Sequence, residues 1–305
     1  MKYSAFHFDI KTYRNYGDTI LFELVRQTFN CCHEREVFFV NKTRNLRQPF
    51  GQQTVTQINQ SDLLILGGGG LFLKDSVANS RSGWQWQCSY PNLEKIETPL
   101  VLFAVGNNRF IGQEDFDDQF IRHLNKTVEK AIFVGLRNHG SINTIKPYLK
   151  PELRDKLKYQ PCPTTIGSFL CPDIYNPIRI DVKKKIAFNA IIGNRQRAAG
   201  LNPEAIYAEI LKAIRLLKKD NWEIEVVAHN RGDLGFNDYL LRNGIKLKVV
   251  ELFGENVKKD LYCGLKYYAD MPFVFGIRGH AGMISFGMGG IPFTVEVHNK
   301  LRYFQ

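Results

Sequence analysis

The stretch from Phe273 to Val297 constrains this chain more than any other. Its apolar run stops at Ile277, a turn carries Arg278-Gly279-His280, Ala281 to Phe286 has room for about two helical turns, and Ile291 to Val297 is extended again. Arg278 and His280 therefore sit between the carboxyl end of a strand and the start of a helix. In an α/β sheet that is where ligands are held, and the free N–H groups of the helix attract anions. Gly276, Gly279 and Gly282 remove bulk from the approach. An arginine fork beside a side chain that trades protons near neutral pH suits an anionic substrate. The same residues also fit an arginine ion-paired at a strand end and a histidine capping a helix.

The same grammar runs through the chain. Ser4 to Ile10 reads as a strand, followed by the polar turn Arg14-Asn15-Tyr16-Gly17-Asp18 and a helix whose Ile20, Leu21, Leu24, Val25 and Phe29 recur at helical spacing, with Asp18 as its N-cap. Asn15, Gly17 and Asp18 either face a ligand or serve the cap. Glu36 to Val40 is a second strand, and Ser61 to Leu66 a third, running into Gly67-Gly68-Gly69-Gly70-Leu71-Phe72. Such a run lets backbone amides, Gly68 and Gly69 above all, approach a ligand, or lets bulky groups pack closely. Phe72 stands where a dinucleotide fingerprint needs its third glycine, and no Gly-Lys-Ser/Thr follows as in a P-loop. Trp84 and Trp86, in a polar loop, read as buried anchors or a sugar-stacking pair. Pro99 to Val105 is a strand, Phe116 to Val128 a helix, and Ala131 to Leu136 a strand delivering Arg137 and Asn138 to a further carboxyl end, with a helix from Ser141.

Pro161, Pro163, Pro172 and Pro177 interrupt the pattern, which sets the expected domains at residues 1–178 and 179–305. The βα alternation then restarts. Ile186 to Ile192 is a strand with Arg195 just beyond it, Asn202-Pro203 opens a helix, and Glu223 to Ala228 leads to His229. Lys246 to Glu251 is a strand, Glu255 to Tyr267 a helix, and the opening motif follows. The expected architecture is α/β: two Rossmann-like domains with parallel sheets and a ligand cleft between them.

At 305 residues each domain is large enough to bury a core. No apolar run reaches the ~18 residues that span a bilayer, and the first residues lack a signal-type apolar core, so a cytoplasmic location is expected. Six cysteines without a paired CxxC spacing read as reduced thiols. No ligand cluster calls for a metal. The net charge of +11, shared by both halves, fits anionic small substrates or a lipid-phosphate surface. Nucleic acid is not expected as a partner, because the basic residues are dispersed and carry no recognised motif.

Taken in order, Asn15-Tyr16-Gly17-Asp18, Ser61-Asp62 through Gly67 to Phe72, Gly135-Leu136-Arg137 with Ser141, Arg278-Gly279-His280-Ala281, Gly290-Ile291-Pro292 and Asn299-Lys300 resemble the polysaccharide pyruvyl transferase family over nearly the whole chain. Asn138 stands where the family more often has an acidic residue, and Gly279 where it has a bulkier one. The resemblance implies a fold similar to the GT-B glycosyltransferases. It also implies transfer of the enolpyruvyl group of phosphoenolpyruvate (PEP) to two hydroxyls of a capsule or exopolysaccharide repeat-unit sugar, as a cyclic ketal, without a cofactor. A lipid-linked acceptor at the inner membrane face agrees with the basic surplus. In that reading Arg278 holds the PEP carboxylate or phosphate, with Arg137 and Arg195 as further candidates. His280 is the general acid, with His229 and His298 as its rivals, and Asn299 and Lys300 join the substrate-binding set. A nucleotide-sugar glycosyltransferase of the same fold and a non-catalytic anion- or polysaccharide-binding accessory protein are the alternatives. The former often carries two glutamates eight positions apart, a pair that does not occur after residue 179.

Overall fold

In this computed structural model the described residues are 2–31, 37–74, 81–110, 112–175 and 183–304. Alternation explains the first strand: on β1 (Lys2–Asp9) Phe6 and Phe8 enter the main core, while His7, between them, turns to the other face. Then come α1 (Tyr16–Cys31), β2 (Val37–Asn45), α2 (Gln52–Asn59), β3 (Leu63–Phe72), α3 (Tyr90–Lys95) and β4 (Leu100–Asn107). They are followed by α4 (Asp118–Lys130), β5 (Ala131–Leu136), α5 (His139–Ile145) and β6 (Leu157–Tyr159). The strands form one sheet in the order β2-β1-β3-β4-β5-β6, with every pairing parallel.

The remainder comprises α6 (Gly167–Leu170), β7 (Lys185–Asn189), α7 (Asn194–Ala198), α8 (Pro203–Lys219), β8 (Glu223–Ala228), α9 (Leu234–Arg242) and β9 (Lys248–Glu251). It ends with α10 (Glu255–Lys259), α11 (Cys263–Ala269), β10 (Phe273–Gly276), α12 (Gly279–Gly287), β11 (Ile291–Thr294) and α13 (Asn299–Phe304). The second sheet, also parallel, has the order β11-β10-β7-β8-β9. The chain leaves β7 first toward β8 and later returns to its other side with β10. The carboxyl ends of β7 and β10 therefore flank a topological switch point. The expected mixed α/β class with two Rossmann-like sheets is what the chain adopts.

Several local readings change. The strand expected to end at Leu66 is longer: β3 continues through Gly67, Gly68, Gly69 and Gly70 to Phe72. Gly67 has φ +138, and a Cβ on it would run into the carbonyl oxygen of Phe103 on β4. Trp84 and Trp86 are both fully buried, with Trp84 Nε1 donating to His123 Nδ1 at 3.0 Å. The helix expected from Glu255 to Tyr267 is two short ones, interrupted where the Asp260 side chain accepts the Tyr262 N–H. And α1 begins at Tyr16, which puts Asp18 in its first turn rather than at its cap.

Contacts divide the chain into one unit of Met1–Lys11 with Leu21–Pro163 and another of Thr12–Ile20 with Thr164–Gln305. The expected boundary at residue 178 falls outside the described residues. Thr164 to Tyr175 belong to the second unit because Gly287 packs on the backbone of Thr164, Gly167 on Met288 and Gly289 on Tyr175. Thr12–Ile20, which the sequence pattern assigns to the first domain, belongs to that unit through Tyr16.

Candidate functional site

Tyr16 is fully buried. Its hydroxyl accepts the Leu265 N–H at 2.9 Å and donates to the Leu261 carbonyl at 3.2 Å, while its own N–H donates to the His229 carbonyl at 3.0 Å. The ring meets His229 edge-on and lies so close to Gly264 that a Cβ there would overlap it. Burial pushes the Tyr16 hydroxyl well above its ordinary pKa, so it stays a donor. Nearby, Gly254 N–H donates to the Tyr13 carbonyl at 2.7 Å. These bonds build the turn of residues 12–20 into the second unit.

The neighbours of Tyr16 are thereby aimed. Gly17 lies against His280, and any Cβ at position 17 would overlap the imidazole. Asp18 Oδ1 stands 3.9 Å from His280 Nδ1, while Asn15 Nδ2 donates to Asp18 Oδ2 at 2.8 Å. Asn15 thus serves the carboxylate, and through it the histidine. Both partners are partly open, with 15 % of the His280 side chain and 23 % of the Asp18 side chain exposed.

On the other side of His280 comes Arg278, at the N-cap position of α12 with φ −85° and ψ 131° and no side-chain cap. Its N–H donates to Asn189 Oδ1 at 3.3 Å, tying the end of β10 to the end of β7. Its guanidinium is gripped by Asp233, which follows β8: Nε lies 2.8 Å from each carboxylate oxygen and Nη2 2.6 Å from Oδ1. An uncapped helix N-terminus, an arginine with a free-running edge and a carboxylate-paired histidine meet on one turn. Chemically that turn can hold an anion and exchange a proton with it.

Asn15, Gly17, Asp18, Arg278, Gly279 and His280 are thus brought together. His229 is not available to a ligand: it is fully buried, its Nε2 lies 2.7 Å from the Tyr268 hydroxyl, and burial, reinforced by the Arg278 charge against the opposing pull of Asp233, holds its pKa down at about 3. It is a neutral prop under Tyr16. Asn299 begins α13, whereas the side chains of Arg195 on α7 and Lys300 on α13 lie outside the described residues. Gly68, Gly69 and Arg137 belong to the first unit. Gly68 and Gly69 are buried and lie beside Leu21. Arg137 is buried at the end of β5, its guanidinium against Gly106, where a Cβ would overlap Nε.

Asp233, Asn189 and Tyr16 escaped the sequence reading. Asp233 had a signal, an acidic residue in the turn Asn230-Arg231-Gly232-Asp233 just after a buried strand. The other two read as ordinary strand and turn residues. Among the described residues no group of three or more His, Cys, Asp or Glu side chains is placed to hold a metal ion, and no helix is long and apolar enough to cross a membrane.

A putative UDP-N-acetylglucosamine 2-epimerase from Listeria monocytogenes is similar with a TM-score of 0.54 at 10 % identity, covering 96 % of this chain and 78 % of that one. The UDP-GlcNAc 2-epimerase of Methanocaldococcus jannaschii, solved with UDP-GlcNAc and UDP, gives 0.51 at 10 % identity over 98 % and 85 %. At such identities the likeness shows the fold, which is of the GT-B class. No curated protein matches the sequence significantly. The family match is of another order, for it runs from residue 15, at the turn that carries Asn15 and Asp18, to residue 296, beyond the turn that carries Arg278 and His280. The chain belongs to the polysaccharide pyruvyl transferase family.

Proposed function

We propose that this transferase moves the pyruvyl group of PEP onto a sugar of a capsule or exopolysaccharide repeat unit, forming a cyclic ketal and releasing phosphate. The observation that carries the reading is the single turn on which Arg278, the uncapped start of α12 and the Asp18-paired His280 converge. PEP presents a carboxylate and a phosphate, which suit an arginine edge and a helix N-terminus. His280, in its protonated form, delivers a proton to the PEP methylene carbon. The electron pair of the carbon–carbon double bond takes that proton, and the adjacent carbon becomes electrophilic. One sugar hydroxyl adds there, phosphate departs with its bonding pair, and a second hydroxyl closes the ring; of the two protons the hydroxyls lose, one returns to the imidazole and the other leaves on the phosphate. Asp18 stabilises the charged imidazole before the transfer, an assignment of roles by proximity.

No metal or organic cofactor enters this scheme. A basic protein suits a lipid-phosphate-linked acceptor at the cytoplasmic membrane face. The test has two arms. Calorimetry compares PEP with UDP-sugars, and mass spectrometry follows lipid-linked saccharides incubated with PEP for the ketal and an equivalent of phosphate. PEP binding with ketal formation supports the proposal. Nucleotide-sugar binding without PEP binding replaces it with a glycosyltransferase, and binding of neither points to an accessory protein.

A further inference from the structure

Asp233 is only 1 % exposed on its side chain, yet it grips Arg278, whose side chain is 19 % exposed. Its two oxygens are filled from three directions: Asn189 Nδ2 donates to Oδ2 at 3.0 Å, the His229 N–H donates to Oδ2 at 2.8 Å, and Arg278 supplies Nε and Nη2. Asn189 is itself locked, fully buried, with Nδ2 also 2.8 Å from the Val227 carbonyl and Oδ1 accepting the Arg278 N–H. The ends of three adjacent strands, β10, β7 and β8, are therefore joined through one carboxylate.

From this geometry we infer that Asp233 is a positioning residue for Arg278, converting it from a mobile cation into a fixed, one-edged anion receptor. The guanidinium spends its Nε–H and one Nη2–H on Asp233. What remains is the Nη1–Nη2 edge, two roughly parallel donors that match a carboxylate or a pair of phosphate oxygens. The pair with Asp233 also cancels most of the arginine's net charge. The direction of those two hydrogen bonds then sets how a bound anion is oriented for reaction. A side chain held by a buried, fully bonded partner is pre-organised, which matters for a step that is sensitive to sub-ångström placement.

The inference rests on the proposed use of PEP, and the test separates the two. Asp233→Asn keeps the shape, removes the charge and turns an N–H toward the guanidinium. Turnover with PEP should fall about ten- to hundredfold, as expected for a mispositioned group, while PEP affinity stays within about threefold of the original because the released arginine keeps its full charge. Independently of any substrate, phenylglyoxal modification of Arg278, located by peptide mass spectrometry, should become several-fold faster. If Asp233→Asn does not fold, Asn189→Ala, which leaves the carboxylate and removes one anchor, should shift both readouts in the same direction by less. Unchanged labelling and turnover overturn the inference. So does a parallel loss of affinity, turnover and thermal stability, which is the mark of a merely structural carboxylate. Absence of PEP binding in the unaltered protein defeats the PEP reading alone, since the labelling arm still decides whether Asp233 holds Arg278.

Discussion

Each of the two sheets ends a buried strand in a cluster of glycines, and the clusters do opposite things. In β3 the glycines prolong the strand: Gly67 faces the Phe103 carbonyl, Gly68 and Gly69 lie against Leu21, and His7 Nε2 bonds the Gly67 carbonyl from β1. At Gly67 main chain packs on main chain, and Gly67, Gly68 and Gly69 are buried. After β10 the strand stops at Gly276, and the chain turns through Arg278, Gly279 and His280 into α12. The second cluster leaves room for side chains, and Gly17 supplies more of it from the opposite direction. Glycine content alone thus says that something approaches closely. Whether the visitor is a neighbouring strand or an imidazole depends on residues far away in sequence.

The sharpest way to break this contrast is His280→Gln, which still forms hydrogen bonds but cannot titrate. Turnover should drop by about 10²–10⁴-fold while PEP binding persists, as for loss of a positioned acid. Near-normal turnover would demote His280 to a substrate-positioning role. Next in size is a pair of glycine replacements. Gly67→Ala meets a carbonyl at a left-handed φ and should cost about 3 kcal/mol or more in urea unfolding. Gly17→Ala meets the His280 side chain from its Cβ outward, with the helix propensity of alanine offsetting part of the cost, so stability should fall by less than in Gly67→Ala while turnover falls about tenfold through displacement of His280. Equal stability losses in both would erase the distinction between a sealed and an open cluster.

The last contrast concerns the one fully buried histidine beside each cluster. Burial lowers His7 and His229 alike to about 3 from an ordinary 6.5. Unfolding raises both pKa values, so the unfolded chain takes up protons that the folded chain refuses. Their contribution to stability is complete above about pH 6.5 and is lost as pH falls toward 3, at about 1.4 kcal/mol per pH unit for each histidine. Urea midpoints at pH 7 and pH 5 should show this, with His7→Gln and His229→Gln each flattening the slope. Variants as pH-sensitive as the original protein would show that neither ring is held neutral.

Much of the architecture was legible because buried parallel strands are short apolar runs with helical periodicity between them. The strands at 131–136 and 223–228, and the helix opened by Asn202-Pro203, stand where periodicity and capping put them. Arg278 and His280 were legible for the same reason, being the first polar residues after such a run. Their partners were not. Asp233 lies 45 residues from Arg278, and Tyr16 249 residues from Leu265. Local pattern carries no record of such pairings. The glycines at 67–70 left two readings open because an absent side chain looks the same in sequence whether space is left for a ligand or for a carbonyl.

The insertion of Tyr16 beside Leu265 has a consequence for how the molecule comes into being. A chain emerging from its amino end has made β1 through β6, a complete sheet, long before the socket for this ring exists. During synthesis the turn at residues 12–20 must wait, its hydroxyl and backbone served by water, until more than two hundred further residues have followed. Closing so long a loop is entropically slow relative to local contacts, so the seating of Tyr16 should be among the last events of maturation. Asp18 reaches His280 only once that ring is home, which gives the protein a built-in order: structure first, then the His280 turn completed by a segment made long before it.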